Sequence, residues 1–430
     1  MKKSKGKAEP GDKVLIKTNK REEEGILLES HESGILLLKL NTGYNIGIKK
    51  QNIKKIKVLE KSRKEEQLLK IKHSGQNRID VIVTGGTISS RLDSKIGGVK
   101  SLTSPEALLN LFPKLAEIVD IRKIEVPFMK FSENMEGKDW IKLAKVVEKS
   151  LNDKDCQGVI ITHGTDFLHY TSAALSLMLG KLNKPVVLTY SQRSSDRGSS
   201  DARLNLICSA HAALSDLSEV VLVGHSSIND DLCYALRGTK VRKMHTSRRD
   251  TFKPINSKPL LKIWPDGKIE KVSDYKKREK QKVKLDAVFN DRVALIKFYP
   301  GQNPEILDYY LKKKYKGLVI EMSGLGHVLT EGKNNWIPKL KELIKKGVTI
   351  CAAPQTLYGR LDPFVYSPGR ELQNIGIIFL RDILPETALV KLGWVLGHKN
   401  INKDKEEIKE MMLKNYAGEF NPCLSEEFLE

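Results

Sequence analysis

Val81-Ile82-Val83-Thr84-Gly85-Gly86-Thr87-Ile88 is the stretch that decides the fold of this chain. Its apolar run does not alternate with polar residues, so it reads as a strand buried on both faces. The run ends on a glycine pair, which lets the backbone turn sharply and bring its N–H groups close to a bound oxygen. Thr87 stands at the tip of that turn. Neither the G-x-G-x-x-G fingerprint of a dinucleotide site nor the Gly-Lys-Ser/Thr of a phosphate loop is present. Taken alone, the turn is equally compatible with an ordinary connection and an incidental threonine.

The same grammar continues downstream. Apolar runs at Asp80–Val83, Gly158–Thr162, Pro185–Tyr190 and Val220–Gly224 alternate with helical patterns at Ser104–Leu111, Lys138–Lys149 and Tyr170–Leu179. Such alternation implies an α/β unit whose parallel sheet is covered on both faces. A highly charged stretch over 266–290 follows and reads as a connection between units. A second, shorter α/β series then runs through Val293–Phe298, Gly317–Met322, Thr349–Ala352 and Ile375–Leu380. Its helical candidates are Pro304–Tyr315, Pro338–Lys346 and Glu386–Leu396.

Upstream the pattern is different. Short β-type runs at Lys13–Lys17, Gly25–Glu29, Gly34–Leu40, Tyr44–Ile48 and Ile53–Leu59 are punctuated by turn residues. They imply a small barrel-like β module, followed by a charged, helix-compatible linker from Lys61 to Lys72. The expected division is therefore a basic β module (1–75), an α/β unit with the site (76–265), a charged linker (266–290) and a smaller C-terminal α/β unit (291–430).

Composition excludes several classes. With 430 residues, 40% hydrophobic and 30% charged, the chain is long enough for more than one folded core and too apolar for a disordered one. No apolar run approaches the roughly 18 residues of a membrane span, and the lysine-rich start does not read as a signal peptide. Cys156, Cys208, Cys233, Cys351 and Cys423 form no C-x-x-C pair, which points to reduced thiols in the cytoplasm with neither a disulfide frame nor a metal site. The net charge is +21, and residues 1–75 carry 19 Lys/Arg against 10 Asp/Glu. A surface this basic suits a polyanion, nucleic acid above all; lysine-rich surfaces also accompany adaptation to heat.

In doubly wound sheets ligands lie beyond the carboxyl ends of the strands, which draws attention to two more segments. Gly158-Val159-Ile160-Ile161-Thr162-His163-Gly164-Thr165-Asp166 again runs from strand to glycine turn, now followed by a hydroxyl and a carboxylate. A fixed carboxylate there suits a substrate with a positive α-amino group, and an acid at a helix N-terminus is also ordinary. His163 reads as a structural hydrogen-bonding residue rather than a base. The segment Arg237-Gly238-Thr239-Lys240-Val241-Arg242-Lys243-Met244-His245-Thr246-Ser247-Arg248-Arg249-Asp250 is a basic loop. A lysine buried there against hydroxyls would serve as a base, with nothing local to say which one. Gly224-His225-Ser226-Ser227 imitates a nucleophile elbow, but Ile228 replaces its closing glycine.

T-G-G-T-I, then T-H-G-T-D, then a distal lysine together resemble the asparaginase–glutaminase family from about Arg78 to near residue 400. The resemblance implies that Thr87 is the nucleophile, that Thr165, Asp166 and Lys243 complete the catalytic set, and that Ser132, Glu133 and Asp166 hold the amino-acid end of the substrate. Lys243 is aligned through the downstream Asp250-Thr251-Phe252. Family members also carry a tyrosine soon after the first threonine. Between Thr87 and Pro105 this chain has none, and Ser94 takes the approximate position. Activation of Thr87 then falls to another group, or to Thr165 with Lys243.

Ser191–Asp201, Met244–Asp250 and the added basic module are similar to one subgroup, the glutaminase subunit of archaeal glutamyl-tRNA(Gln) amidotransferases. That resemblance implies glutamine as amide donor, with ATP and Mg used by a partner subunit and no cofactor in this chain. It also implies tRNA(Gln) engaged through the complex, and a homodimer core in a heterotetramer of two plus two. The competing expectations are a free cytoplasmic L-asparaginase with an accessory N-terminal domain, and an RNA-binding scaffold on an inactive core.

Overall fold

The computed structural model describes residues 8–28, 30, 32–40, 45–61, 75–86, 88, 90–92, 99–101, 112–193, 200–400 and 404–423. The N-terminal strands are β1 (Lys13–Thr18), β2 (Glu22–Leu28), β3 (Ile35–Leu40), β4 (Asn45–Lys49) and β5 (Ile53–Glu60). They form one antiparallel sheet in the order β4-β3-β2-β1-β5. β1 buries Val14 and Ile16, which pack with Leu27, Leu38 and Ile48, while Lys13 and Lys17 face outward. β4 and β5 are the two edges, yet only residues 50–52 join them. In a flat sheet these edges would stand about 19 Å apart, and so short a link reaches about 15 Å. The sheet must therefore curl, which gives the module its barrel-like form.

The larger unit contains β6 (Arg78–Val83), the hairpin β7 (Ser90–Leu92) and β8 (Val99–Ser101), β9 (Asp120–Glu125), β10 (Val159–Thr162), β11 (Val186–Thr189) and β12 (Val220–His225). It continues through β13 (Cys233–Arg237), β14 (Val241–Lys243), β15 (Phe252–Pro254), β16 (Leu261–Ile263) and β17 (Ile269–Lys271). The main sheet runs β17-β16-β13-β12-β11-β10-β6-β9. From β12 to β9 it is parallel, and β13, β16 and β17 extend it antiparallel.

Continuous burial in these strands has a direct cause. Ile82, Val159, Ile161, Leu188 and Leu222 face a core completed by helices α2 (Gly137–Asn152) and α3 (Leu168–Met178). Their neighbours Val81, Val83, Ile160, Val187 and Val221 face the opposite core, completed by α1 (Leu115–Ile118) and α4 (Ala202–Leu214). With helices on both sides no strand residue is left to solvent, and period-two alternation disappears.

The C-terminal unit has the parallel sheet β18 (Val293–Lys297), β19 (Gly317–Met322), β20 (Thr349–Pro354) and β21 (Ile378–Phe379). Its helices are α5 (Ile306–Lys312), α6 (Ile337–Lys345), α7 (Ser367–Asn374), α8 (Pro385–Val395) and α9 (Lys405–Leu413). Helix α8 is buried almost all round, because Ala388, Val390, Leu392 and Val395 join the same apolar cluster as α2 and α3. The two α/β units thus share one core.

One expectation changes. The stretch 266–290 is no free connection: it opens with edge strand β17, paired to β16 through Leu261↔Lys271 and Ile263↔Ile269. It is then strapped down by Arg278, which donates to the carbonyls of Ser215 and Ala213. Charged side chains such as Lys262 and Glu270, 2.8 Å apart on the exposed edge, concealed the strand pattern. The helix Ser104–Leu111 and all of the linker after Lys61 lie outside the described residues. Among the described residues no helix is long and apolar enough to cross a membrane.

Candidate active site

Register places the two glycine turns side by side. β6 and β10 pair in parallel with Val83 opposite Thr162, so both strands release their chains at one edge of the sheet. The Thr84 N–H and hydroxyl both donate to the Thr162 carbonyl, at 3.2 and 2.9 Å. Gly85 and Gly86 have φ of 129° and 86°, a region open to glycine at little cost. A side chain on Gly86 would also meet the Gly164 nitrogen at 2.6 Å, so the turns touch backbone to backbone. Thr87 and Ser94 lie outside the described residues, while Ile88, next to Thr87, is fully buried.

After β10 the chain turns through His163 and Gly164 into α3. His163 Nδ1 stands 2.7 Å from the Gly164 carbonyl and Nε2 stands 2.9 Å from Thr171 Oγ1, which also accepts the Trp140 indole N–H. Burial pushes His163 down to about 4, so the ring is neutral near pH 7. With both nitrogens committed it holds the turn and has no lone pair to offer a substrate.

Thr165 and Asp166 project from that turn, and Lys243 reaches them from the end of β14. Lys243 Nζ donates to Thr165 Oγ1 at 2.9 Å and to Asp166 Oδ1 at 2.6 Å. The lysine side chain is 10% exposed and the aspartate 62%, so the pair sits at the mouth of the site with its acid in solvent. Three residues upstream, Lys240 is spent elsewhere, on Asp382 of the C-terminal unit.

Ser132 is buried beside the same turn. Its Oγ accepts the Phe167 N–H at 3.3 Å, and it lines the space next to Gly164. Glu133 follows it on a short helical turn and is exposed. The loop before them is fastened to the first glycine turn, because the Lys130 N–H donates to the Thr84 carbonyl at 3.0 Å. Ser132, Thr165, Asp166 and Lys243 therefore converge.

His225 is occupied by Asn205 at 2.6 Å and Asp230 at 2.9 Å, so it offers no base to Ser226. Sequence reasoning missed the C-terminal residues that approach from behind: Glu386 meets Arg242 at 3.1 Å, and its side chain lies 4.0 Å from His169. They are remote in the chain and lie in no motif, so no local signal marks them.

The model for the N-terminal domain of asparaginase matches residues 78–277, and that for the glutaminase/asparaginase C-terminal domain matches 292–412. Among solved structures, the thermostable L-asparaginase of Thermococcus kodakarensis aligns with a TM-score of 0.70 at 29% identity, over 80% of this chain and 100% of that one. The probable cytoplasmic L-asparaginase of Campylobacter jejuni gives 0.64 at 26%, over 79% and 99%. The class is thus an asparaginase-type amidohydrolase core. Residues 8–59 are matched separately by the GatD N-terminal domain. The GatD subunit of the glutamyl-tRNA(Gln) amidotransferase from Pyrococcus abyssi is 46% identical over 97% of this chain and 93% of its own length. Its counterpart from Archaeoglobus fulgidus is 44% identical over 96% and 95%. The chain belongs to the family of GatD subunits of glutamyl-tRNA(Gln) amidotransferases.

Proposed function

We propose that this chain is the glutaminase subunit of a tRNA-dependent amidotransferase, hydrolysing glutamine to supply ammonia for converting Glu-tRNA(Gln) to Gln-tRNA(Gln) with a partner subunit. The observation that carries the chemistry is Lys243 Nζ within hydrogen-bond reach of both Thr165 and Asp166 at the mouth of the glycine turns. The family match over nearly the whole chain, N-terminal module included, favours the amidotransferase over a free asparaginase.

In this reading Thr87 Oγ attacks the side-chain amide carbon, and the backbone N–H groups of the turns stabilise the developing oxyanion. The hydroxyl proton passes to the departing nitrogen, which leaves as ammonia. Water then cleaves the acyl-threonine ester to give glutamate and free Thr87. Thr165, hydrogen-bonded to Lys243, relays these protons. Asp166 receives the substrate α-ammonium, while Ser132 and Glu133 frame its amino-acid end.

ATP and Mg belong to the partner subunit, which activates the tRNA-bound glutamate. Two copies of this chain form a homodimer core in an assembly of two plus two, and tRNA(Gln) is engaged through the complex in the cytoplasm. The division into 1–75, 76–265, 266–290 and 291–430 assigns the chemistry to the second segment.

The test is glutamine hydrolysis by the chain co-purified with its partner, with and without charged tRNA. A large rise with tRNA is expected. Full asparagine turnover by the chain alone would replace this reading with the free asparaginase.

A further inference from the structure

Lys243 is aimed at Thr165 and Asp166 from a strand that the main sheet does not hold. β14 pairs with β15 in a two-stranded ribbon of its own, outside the eight-stranded ladder. Its placement comes from other contacts: Ser172 Oγ of α3 donates to the Gly238 carbonyl and Tyr190 to the Arg249 carbonyl, both at 2.7 Å, and a further set leads into the C-terminal unit. Thr239 Oγ1 donates to the Ala417 carbonyl at 2.9 Å, and Thr387 Oγ1 donates to the Thr239 carbonyl at 3.0 Å. Lys240 Nζ meets Asp382 at 2.6 Å, and Arg242 Nε meets Glu386 Oε1 at 3.1 Å. The lysine thus addresses one unit while the segment that carries it is also fastened to the other.

Glu386 is the central point of this clamp. It lies in the first turn of α8 and is 5% exposed. Besides Arg242 it faces the ring of His169, whose Nε2 is 4.0 Å away. His169 sits on α3, in the turn that follows Asp166. One carboxylate of the C-terminal unit therefore touches both elements that carry the site: the ribbon with Lys243 and the helix entered through Thr165 and Asp166. Side chains alternate along a strand, so Arg242 faces Glu386 while Lys243 faces the threonine. The cluster is also electrostatically tight. Burial, helped by the positive charges of Arg242 and Lys243, pushes His169 down to about 3 and keeps it neutral. Glu386 Oε2 and His169 Nδ1 are buried with no hydrogen-bond partner among the described residues.

We propose that Glu386 and Arg242 form a bracket across the two units that positions Lys243 against Thr165 and Asp166, so that the seating of the C-terminal unit sets the competence of the amidohydrolase site. The bracket acts through Lys243 and touches no substrate. It rests on the glutaminase reading above. Its geometric consequence is coupling: whatever shifts α8 shifts the lysine, and displacements of about 1 Å in a catalytic group cost on the order of a hundredfold in rate.

The experiment measures kcat and KM for glutamine in the full complex with its partner, for Glu386→Gln, Arg242→Leu, the double variant and Arg242→Lys. Both single variants should lose about tenfold or more in kcat while KM stays within about twofold. The double variant should be no worse than the worse single one, since both remove one interaction. Arg242→Lys should recover part of the rate. Glu386→Gln preserves volume and decides the matter if Arg242→Leu does not fold. The bracket is overturned if both single variants retain wild-type kcat, if their losses add, or if KM rises in step with the loss. Failure of the glutaminase reading looks different: Lys243→Ala would hydrolyse glutamine at the full rate, and the bracket would fall with it.

Discussion

Lys240 and Lys243 stand three residues apart and make ion pairs of the same length, yet they do opposite work. Lys240 meets Asp382 at 2.6 Å with both side chains 1% exposed, and Asp382 accepts further from the Asn421 N–H. Lys243 meets Asp166 at 2.6 Å, but that acid is 62% exposed and the ammonium also faces a hydroxyl. A pair closed off from water on both sides has nowhere to send a proton, and removing one member strands a buried charge. A pair opened to solvent on one side contributes little to stability. Burial of the partner, more than the lysine itself, separates a strut between units from the lysine proposed to act at the site.

The comparison breaks most decisively if the roles overlap. Lys243→Ala should lower glutamine turnover by about a hundredfold to ten-thousandfold and leave the thermal midpoint nearly unchanged, as steady-state kinetics and calorimetry would show. Lys240→Ala should act first on stability, costing roughly 3–5 kcal/mol in denaturant unfolding because Asp382 is left buried and unpaired. A stable, inactive Lys240→Ala would contradict the assignment of the two lysines.

A smaller effect sharpens the account of the second glycine turn. His163 is held near 4 in the folded chain against an ordinary value of 6.5. The unfolded chain therefore takes up the proton first as pH falls. Stability from this group is full above about 6.5, declines down to about 4 and then levels off, for a total of roughly 3 kcal/mol. His163→Gln should flatten that part of the unfolding free energy between pH 7 and 4.5; an unchanged slope would mean that the ring is not buried neutral. The smallest effect belongs to the surface. Lys13 and Glu24, both 40% exposed at 2.7 Å, pair across β1 and β2, and Lys13→Ala should leave the melting curve of the chain where it is.

Much of the architecture was legible because strand and turn were written together. The runs ending at Val83 and Thr162 mark β6 and β10, and the glycines after them mark where the site opens. Helices α2 and α3 were legible in outline, and the five N-terminal strands lie within a few residues of the β-type runs. Helix α4 escaped because Leu204, Asn205, Ile207, Cys208 and Ala210 are buried around its whole circumference, so no polar stripe betrays a helical period. Within the antiparallel extension, β16 and β17 escaped because they are three-residue strands that carry charge.

At the site, Thr165 and Asp166 were visible as a motif. The choice among Lys240, Lys243 and their basic neighbours was not, since it depends on which acid each one meets: Asp382, 142 residues away, for Lys240, and Asp166, 77 residues away, for Lys243. Only the resemblance to a family singled out Lys243. Glu386 carried no signal at all, because its role exists only once the two units are folded against each other.

The most direct test follows the amide nitrogen. The complex of this chain with its partner, given glutamine labelled with nitrogen-15 in the side-chain amide, ATP and Glu-tRNA(Gln), should deliver the label into Gln-tRNA(Gln). With Thr87→Ala or Lys243→Ala in this chain, delivery from glutamine should cease while free ammonium salts still support product. Continued transfer from glutamine in both variants would contradict the placement of the glutaminase at these residues.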